Sequence, residues 1–584
     1  MISFPVHTES FQMQSSRQLG APNRWVERGF PASAAAELES AGLSPLMARI
    51  LASRGVTAGG LDDYLNPRMR LLASPEELEG LPAAVETVLS AVSRGMKIVV
   101  FGDYDCDGVC ATAIAVTALE TVGADVVPFI PDRLTEGYGM SEASLARMRR
   151  EHPDVGLVVT VDNGINSVDE VAALSRDGIE VVVTDHHLPS DELPAAKAVV
   201  NPKVAATPRL ADLCGAGVAF MFAKLLVVTA RERGLYSGAK IAGPLTVLAG
   251  LATVTDIMPL TGQNRVLVAE ALRLFSKEAP AGLKTLCEYA GKTAAYSMTS
   301  RDFGFLLGPR INAAGRLSSG MEALELILSD DGATIDEQAR KVVGFNDRRK
   351  AIEREMTDAA MSSVVEGAPA QVIELPGGNP GVAGIVAARV MERLADSGAA
   401  VPVCIVVDGH GSARSPEWLN IRDAMHACSE ALVRFGGHAA AGGFKVERER
   451  IGDFRRLMCE YCARAAKFAE GRIEVVDAWT TASELTLDLA ETIKRMEPFG
   501  EGNPEPVFAM RGVTFADVRP LGSNGRHLQV TFRDRSLPRA VWWNHGDFIE
   551  KLRGTPSAEH DIRFTVEVST YGERHLELRL QSVI

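Results

Sequence analysis

Between Lys97 and Pro202, short apolar runs rich in β-branched residues alternate with stretches of helical character. Such alternation is typical of βαβ units, which build a mostly parallel sheet with helices on its faces. The runs are continuously apolar, as expected for strands that are buried on both faces. We therefore predict an α/β fold on a parallel sheet, with strands at Ile98–Phe101, Val126–Ile130, Gly156–Val161, Glu180–Thr184 and Ala198–Val200.

An acidic motif follows the first of these strands. Asp103, Asp105 and Asp107 occupy alternate positions, and Gly108 and a predicted helix at Val109–Val122 come after them. If the strand continues through the motif, its period of two places the three carboxylates on one side. Carboxylates so close repel one another unless a cation holds them. They are hard oxygen ligands, so we predict a Mg²⁺ or Mn²⁺ site at the carboxyl edge of the sheet.

Three further segments end in residues that can bind metals. Asp162 and the triplet Asp185-His186-His187 each follow an apolar strand, and Asp256 follows an apolar, helix-like run. One such Asp alone more often caps the next helix than binds a metal. Together they can converge, because parallel strands place their carboxyl ends on one edge. They could hold a pair of divalent ions, which would clamp the attacking and leaving oxygens of a phosphate.

We predict further domains in the rest of the chain, because 584 residues are too many for a single hydrophobic core when a domain has about 150 residues. Near the start we expect helices at Ala34–Arg54, with Ser33 as its N-cap, and at Glu76–Arg94. A mostly helical region at Leu213–Leu328 precedes a long, charged helix at Thr334–Val365. A second α/β unit then has strands at Gln371–Leu375 and Val403–Val407 with a helix at Val382–Asp396 between them.

From about Gly471 the chain has short, largely alternating segments divided by turns. About five such strands predict a small barrel, for which an OB-fold is the leading candidate. The segments are Val513–Val518, His527–Arg533, Arg539–Trp543, Ile562–Val568 and Glu577–Gln581.

Composition and charge narrow the class of protein. Hydrophobic and charged contents of 46% and 23% are those of a soluble globular protein. Met1–Asn23 lacks the apolar core of a signal peptide, and no apolar run reaches the length of a membrane span, so we expect a cytoplasmic protein without membrane contact. The net charge of −14 does not exclude nucleic acid, because a local basic groove suffices for phosphate contacts.

The eight cysteines are too scattered for a disulfide framework. Cys459 and Cys462 form a CxxC pair without a second pair or nearby histidine, so we expect half-buried helix residues rather than a zinc site. We expect Cys106 to pack behind the acidic motif.

The acidic motif together with Asp162, Asp185-His186-His187 and Asp256 resembles the DHH phosphoesterase superfamily. Within it, four more segments resemble those of RecJ exonucleases: Arg133–Gly139, Gly308–Arg316, Gly436–Gly443 and Pro498–Pro506. The resemblance runs from about Gly80 to the C-terminus. It implies an N-terminal extension with helices (1–79), a parallel-sheet DHH catalytic domain (80–330), a connecting helix (331–366), a smaller α/β DHHA1-type domain (367–470) and a C-terminal OB-fold β-barrel (471–584).

The same resemblance implies roles for individual residues. The metal ligands would be Asp103, Asp105, Asp107, Asp162, His186 and Asp256. His187 would bind a metal or the scissile phosphate, and Asp185 would orient the histidines. The substrate phosphates would be held by Arg310, Asn312, Arg316, Ser412, Arg414, Gly437 and His438. Trp542 and Trp543 are neighbours in a strand and face opposite ways, so one would fill the barrel and the other could stack on a base.

The implied activity is a 5′→3′ exonuclease that degrades single-stranded DNA to 5′-mononucleotides with two Mn²⁺ or Mg²⁺ ions, in DNA repair and recombination. Its partners would be single-stranded DNA and a single-stranded-DNA-binding protein or a helicase, and it would be a monomer. Two alternatives remain open. One is a DHH phosphodiesterase for short oligonucleotides or cyclic dinucleotides, against which the OB-like end and the Gly308–Arg316 segment argue. The other is a DNA-binding scaffold with an inactive site, against which the filled ligand positions argue.

Overall fold

The computed structural model describes residues 24–584 except 134, 138, 205–206, 237, 239–240, 294–296, 467–472, 523–524, 555–557 and 570–573. The predictions for Met1–Asn23, for Leu134 and Tyr138, and for a boundary after residue 470 lie outside the described residues. The chain divides into two compact units. One contains the described residues up to 58, those between 468 and 493, and those from 506 onward; the other contains the rest.

The N-terminal segment forms a strand and two helices rather than the single helix expected over Ala34–Arg54. These are β1 (Arg24–Glu27), α1 (Ala32–Ser40) and α2 (Pro45–Ser53). The helix breaks at Gly42, whose φ of +97° is a conformation that glycine adopts without strain. Ser44 then caps α2 by accepting from Met47 N at 3.4 Å. The predicted cap Ser33 lies inside α1, which starts after Pro31 without a side-chain cap.

The second unit begins with α3 (Leu61–Leu65) and α4 (Leu81–Ser93) and continues into the predicted parallel sheet. The sheet region contains β2 (Lys97–Phe101), α5 (Cys106–Thr121), β3 (Asp125–Phe129), α6 (Glu142–Glu151), β4 (Val155–Val161), α7 (Val168–Arg176), β5 (Glu180–Thr184) and β6 (Ala198–Val200). All neighbours are parallel, in the order β3-β2-β4-β5-β6. The order reverses direction between β2 and β4, and open α/β sheets bind ligands beyond the strand ends at such a switch point.

Both faces of this sheet are buried, as the apolar runs predicted. Ile98 and Val100 of β2 point into the core that also contains the apolar side chains of α4 and α5. Val99 and Phe101 point to the opposite face and pack with Leu145 of α6. Strands β2, β4 and β5 are therefore shielded from water on both sides, whereas the edge strand β3 is only partly buried.

A helical region follows, as predicted. It contains α8 (Gly215–Glu232), α9 (Ala242–Thr255), α10 (Gly262–Glu278), α11 (Ala281–Tyr289), α12 (Ser300–Asp302), a π-helical turn (Phe303–Leu307), α13 (Gly308–Leu317), α14 (Gly320–Leu328) and the long α15 (Gly332–Ser362). Among the described residues, no helix has both the length and the apolar composition that crossing a bilayer requires.

A smaller sheet completes this unit. Its elements are β7 (Gln371–Glu374), α16 (Ala383–Asp396), β8 (Val403–Val407), β9 (His410–Arg414), α17 (Ile421–Ala427), β10 (Arg434–Gly437), β11 (Ala441–Lys445) and α18 (Ile451–Ala465). The strand order is β10-β11-β9-β8-β7, and only β7 and β8 are parallel. Cys459 and Cys462 lie on the helix α18, as expected; Cys459 is half-buried as predicted, whereas Cys462 is fully buried.

The other unit contains a seven-stranded sheet instead of about five strands. Its elements are β12 (Ile473–Val476), β13 (Ala478–Trp479), α19 (Leu487–Arg495), β14 (Phe508–Val513), β15 (Phe515–Leu521), β16 (His527–Phe532), β17 (Ala540–Trp542), α20 (Ile549–Arg553), β18 (His560–Ser569) and β19 (His575–Val583). The sheet order is β13-β14-β18-β19-β17-β16-β15. Separately, β12 pairs in parallel with β1, so the N-terminal strand belongs to this unit.

Candidate metal centre

The acidic motif reaches the carboxyl edge of the sheet as a loop and a helix start. The expectation that the strand continues through it is wrong, because β2 ends at Phe101. Asp105 instead caps α5, and its Oδ1 accepts from Asp107 N at 2.9 Å and from Gly108 N at 3.1 Å. A Cβ at Gly108 would lie 2.5 Å from Asp103 O, so the tight turn leaves no room for a side chain there. Cys106 is buried at the start of this helix, as expected.

Carboxylates from three segments, and histidines from a fourth, meet at the switch point. Ligand atoms of Asp103, Asp105 and Asp162 lie within 4.8 Å of one another. Asp162 directly follows β4 and has a φ of +62°, which is uncommon outside glycine and typical of functional sites. Asp256 is the C-cap of α9, so its segment ends in a helix rather than a strand.

His186 lies in the middle of these acids. Its Nε2 is 3.1 Å from Asp162 Oδ1 and 3.6 Å from the Oδ2 atoms of both Asp107 and Asp256. Asp107 is held by the first turn of α8, where Gly215 N and Ala216 N donate to its two oxygens at 2.7 and 2.8 Å. These two hydrogen bonds fix the Asp107 side chain in place facing His186.

Asp185 organises the histidine pair, mainly through His187. Its Oδ1 accepts from His186 N at 2.7 Å and from His187 N at 3.1 Å, and Ile165 N donates to its Oδ2 at 3.0 Å. The His187 ring contacts Asp185 Oδ1 through Nδ1 at 2.8 Å. Asp185 therefore orients the ring of His187 directly, whereas it contacts His186 only through the backbone.

Burial and mutual repulsion raise the pKa values of several of these carboxyls. Burial and the charge of Asp105 raise the pKa of Asp103 to about 8. Burial and the charges of Asp107 and Asp105 raise the pKa of Asp256 to about 8. The same causes hold the pKa of Asp162 well above its usual range. A bound metal cation would stabilise the ionised forms of these carboxyls.

The two histidines shift in opposite directions. Burial lowers the pKa of His186 to about 4, so its ring is neutral at pH 7, as a metal ligand must be. Burial also disfavours charge on His187, but the hydrogen bond and charge of Asp185 and the charge of Asp256 outweigh it and raise the pKa of His187 to about 9. In turn, burial of Asp185 is outweighed by its hydrogen bonds, which keep its pKa below the usual range.

These residues fit divalent cations. Two more ligand groups, Asp107 with His186 and Asp256, and Asp162 with His186 and His187, also bring one atom per residue within 4.8 Å. The buried atom Asp162 Oδ1 has no hydrogen-bond donor among the described residues, so a cation would satisfy it. Carboxylate oxygens with imidazole suit Mn²⁺ and Mg²⁺.

A cavity of about 480 Å³ lies between the acidic loop and the smaller sheet. Its lining includes Tyr104, Arg133, Gly381, Ser412, Arg434 and Gly436. Arg133 lies over the Tyr104 ring, 4.9 Å from the centroid. Arg133 and Arg434 were not among the predicted site residues; Arg133 stands in the Arg133–Gly139 segment, and no pattern marks Arg434.

Two predicted phosphate-binding arginines lie close to this cavity. Arg316 donates from Nη1 to Gly381 O at 2.9 Å, and burial and the charge of Arg133 lower its pKa to about 10. Burial and the charge of Arg133 also lower the pKa of Arg414 on β9. Crowded guanidinium groups repel one another, and an anion between them would relieve that repulsion. The arrangement therefore suits a phosphate.

Other predicted phosphate-binding residues lie in different surroundings. Arg310 donates from Nη1 to Leu306 O at 2.6 Å, and burial lowers its pKa against the opposing charge of Asp347. Asn312 accepts from the backbone of the acidic motif through Oδ1. Gly437 ends β10, and His438 follows it. Burial, followed by the charges of His187 and Lys203, lowers the pKa of His438.

The two tryptophans of the seven-stranded sheet unit differ, as predicted. Trp542 is 4% exposed and stacks on His545 at 4.4 Å between ring centroids. Trp543 is 46% exposed and meets His527 edge-on at 4.7 Å. Of the pair, therefore, only Trp543 offers a ring face for base stacking.

Three family models match the chain. They are the DHH family, N-terminal domain, at residues 97–249, the DHHA1 domain at 367–464 and the RecJ OB domain at 476–582. The predicted fold class, a parallel-sheet DHH domain with DHHA1-type and OB domains, is confirmed.

Whole proteins of known activity are also similar to this chain. The single-stranded-DNA-specific exonuclease RecJ of Thermus thermophilus is 37% identical over 486 residues, covering 83% of this chain and 68% of that protein. RecJ of Escherichia coli is 33% identical over 489 residues, covering 80% and 83%. The crystal structure of Thermus thermophilus RecJ in complex with Mn²⁺ is 30% identical, with a TM-score of 0.81 and coverage of 96% of this chain and 79% of that one. The same protein in complex with Mg²⁺ gives a TM-score of 0.76.

Proposed function

Because this chain belongs to the RecJ family of single-stranded-DNA-specific exonucleases, we propose that it degrades single-stranded DNA from the 5′ end and releases 5′-mononucleotides. The observation that carries the proposal is the convergence of acidic side chains and His186 at the switch point, next to a cavity bordered by guanidinium groups. The first arrangement suits divalent metals and the second suits phosphates, and a nuclease needs both.

We infer a pair of ions, Mn²⁺ or Mg²⁺, held by Asp103, Asp105, Asp107, Asp162, His186 and Asp256. Two of the ligand groups, Asp103 with Asp105 and Asp162, and Asp107 with His186 and Asp256, share no residue, and this supports two ions better than one. When bound, divalent ions acidify a water molecule and neutralise charge on phosphate oxygens.

The chain's own residues hold and orient the substrate in this proposal. Asp185 accepts a hydrogen bond from His187 Nδ1–H, so a charged His187 keeps Nε2–H to donate to an oxygen of the scissile phosphate. His438, whose pKa is lowered by burial and by the charge of His187, donates to a phosphate of the strand in this proposal. Arg133, Arg316 and Arg414 hold a neighbouring phosphate, because a guanidinium makes two parallel hydrogen bonds to such a group.

We also propose a role for each domain and a cellular context for the activity. Residues 80–330 carry the chemistry, residues 367–470 hold phosphates, and residues 471–584 bind the single strand. The enzyme acts as a monomer in the cytoplasm, in DNA repair and recombination, and receives its strands from a helicase or a single-stranded-DNA-binding protein.

Digestion of long oligonucleotides labelled at either end tests the activity. With Mn²⁺ or Mg²⁺, a 5′ label should appear at once as a mononucleotide, while a 3′ label should remain on progressively shorter strands. A blunt duplex should resist digestion. Asp162→Asn keeps the shape of a ligand but removes its charge, and it should abolish cleavage without unfolding the protein.

Each alternative activity has its own signature. Turnover of dinucleotides or cyclic dinucleotides without digestion of long strands would refute the exonuclease and support a small-substrate phosphodiesterase. Strand binding without metal-dependent cleavage would support an inactive scaffold. An Asp162→Asn protein with full activity would refute the metal assignment.

A further inference from the structure

We propose that Asn312 is a positioning residue of the metal centre, whose side-chain oxygen fixes the start of α5 and with it the acidic loop. This inference rests on the proposed divalent-metal function. It replaces the predicted role of Asn312 as a phosphate ligand with one that acts through the ligands Asp103 and Asp105.

The first step is a hydrogen bond across the fold. The opening N–H groups of a helix have no partner within the helix and need acceptors from outside it. At α5, Asp105 Oδ1 accepts from Asp107 N and Gly108 N. Cys106 N remains, and it donates to Asn312 Oδ1 at 2.6 Å, although 206 positions separate the two residues. Asn312 thus completes the cap that Asp105 begins.

The second step is the close packing of α13 and α14 against the loop. A Cβ at Gly315 would lie 2.3 Å from Tyr104 O, and one at Gly320 would lie 3.1 Å from Tyr104 Cα. Tyr104 stands between the ligands Asp103 and Asp105. The backbone that carries these two acids is therefore seated directly on the helix that presents Asn312.

The third step concerns which atom of the amide is used. A backbone N–H can only donate, so the atom that faces Cys106 N must be the amide oxygen. Binding a phosphate would instead use the Nδ2 donors. The two roles therefore depend on opposite ends of the same side chain, and a substitution can separate them.

Two variants at this position make the test. Asn312→Asp keeps the acceptor and removes the donors, whereas Asn312→Ala removes both. Asp331→Ala is the matched control, because Asp331 caps α15 by accepting from Thr334 N at 2.9 Å without contacting the acidic loop. Calorimetric titration with Mn²⁺ alone, without DNA, gives the metal affinity, and thermal unfolding of the metal-free proteins checks that each is folded.

We expect Asn312→Ala to weaken Mn²⁺ binding by about 10- to 100-fold, as is typical when a group that orients metal ligands is lost. Its kcat on single-stranded DNA should fall in parallel while KM for DNA stays near the wild-type value. Asn312→Asp should restore Mn²⁺ binding and kcat to near the wild-type level, and Asp331→Ala should leave Mn²⁺ binding unchanged.

Two results would overturn the inference. One is wild-type Mn²⁺ affinity in Asn312→Ala. The other is a raised KM for DNA with intact Mn²⁺ binding in Asn312→Asp, which would assign the amide to the substrate. Failure of the proposed function is a separate result, because it would appear as a wild-type protein that neither binds Mn²⁺ nor cleaves DNA.

Discussion

Replacing Gly315 by alanine tests how closely the acidic loop must be positioned. Gly315 lies inside α13, where an added Cβ would stand 2.3 Å from Tyr104 O. Gly344 offers a matched control inside α15, because a Cβ there meets nothing within 4 Å. Both changes gain the same helix propensity, about 0.5–1 kcal/mol. Any difference between them therefore reports the contact with Tyr104.

The size of the effect follows from the geometry. Cβ contacts under 3.0 Å are essentially never found, so Tyr104 O or α13 must move by about 0.7 Å, from 2.3 Å to 3.0 Å. Overpacking of this kind costs about 1–3 kcal/mol, more than the gain in propensity. A misplacement of about 1 Å at a reacting centre can cost on the order of 10²-fold in rate. We expect Gly315→Ala to lose kcat by roughly that factor.

The assay compares kcat on an end-labelled single strand, Mn²⁺ affinity and urea unfolding for both variants. Gly344→Ala should be slightly more stable than wild type and fully active. Gly315→Ala should be folded, weaker in Mn²⁺ binding and slow. Wild-type kcat and Mn²⁺ affinity in Gly315→Ala would show that the loop tolerates displacement and would refute the reasoning.

Four further predictions concern the metal and phosphate sites and the two tryptophans of the seven-stranded sheet unit. Arg414→Ala should weaken DNA binding and reduce the slope of log K against log salt by about 0.7 for one lost phosphate contact; an unchanged slope would exclude that contact. Asp103 and Asp256 have pKa values of about 8 in the metal-free site and therefore hold protons at pH 7. Because Mn²⁺ must displace these protons, its affinity should rise from pH 6 to pH 9. Calorimetry in buffers of different ionisation enthalpy measures both the affinity and the number of protons released. Because an unfolded Asp titrates near 3.8, the folded metal-free protein binds more protons than the unfolded chain between about pH 4 and 8. Its free energy of unfolding should therefore fall as the pH rises through that window. A free energy of unfolding that rises over the same window would contradict the pKa shifts. Trp542→Ala should destabilise its unit by about 3–5 kcal/mol in urea unfolding. Trp543→Ala should keep stability and weaken single-strand binding by about 1–3 kcal/mol, and equal effects of both changes would contradict the burial difference.

The parallel sheet and its ligands were predictable because their signals are local. Each strand buried on both faces is a continuous apolar run, and β5 and β6 have the bounds that the runs predicted. Parallel topology then brings the strand ends to one edge, so Asp162 and His186 could be expected to meet without knowledge of their distance in space.

The path of the acidic motif could not be predicted in this way. Alternating acids fit a strand, but Asp is also a favoured N-cap residue of a helix. Asp105 caps α5 because its side chain accepts hydrogen bonds from backbone N–H groups that would otherwise have no partner. The role of Asn312 depends on a partner 206 positions away, for which no local pattern exists.

Strands β7 and β8 of the smaller sheet were predicted, whereas β10 and β11 were missed for another reason. The segments around Gly436 and Gly443 are rich in glycine and alanine, which are depleted in strands. They form β10 and β11 because they pair with each other and with β9, so tertiary pairing overrides the weak local preference.

The pairing of β1 with β12 sets an order of events during synthesis. Trp25 donates from Nε1 to Glu474 Oε2 across 449 positions, and Arg28 reaches Asp477 at 3.2 Å. At roughly 5–20 residues per second, β1 leaves the ribosome about 20 to 90 s before its partner strand exists. Within that interval the parallel sheet and its metal ligands can already fold, since the last metal ligand is Asp256 and the glycines of α13 and α14 that pack against the acidic loop end at Gly320. The residues around the metal centre can therefore fold first, and β1, although made before them, meets its partner strand only later.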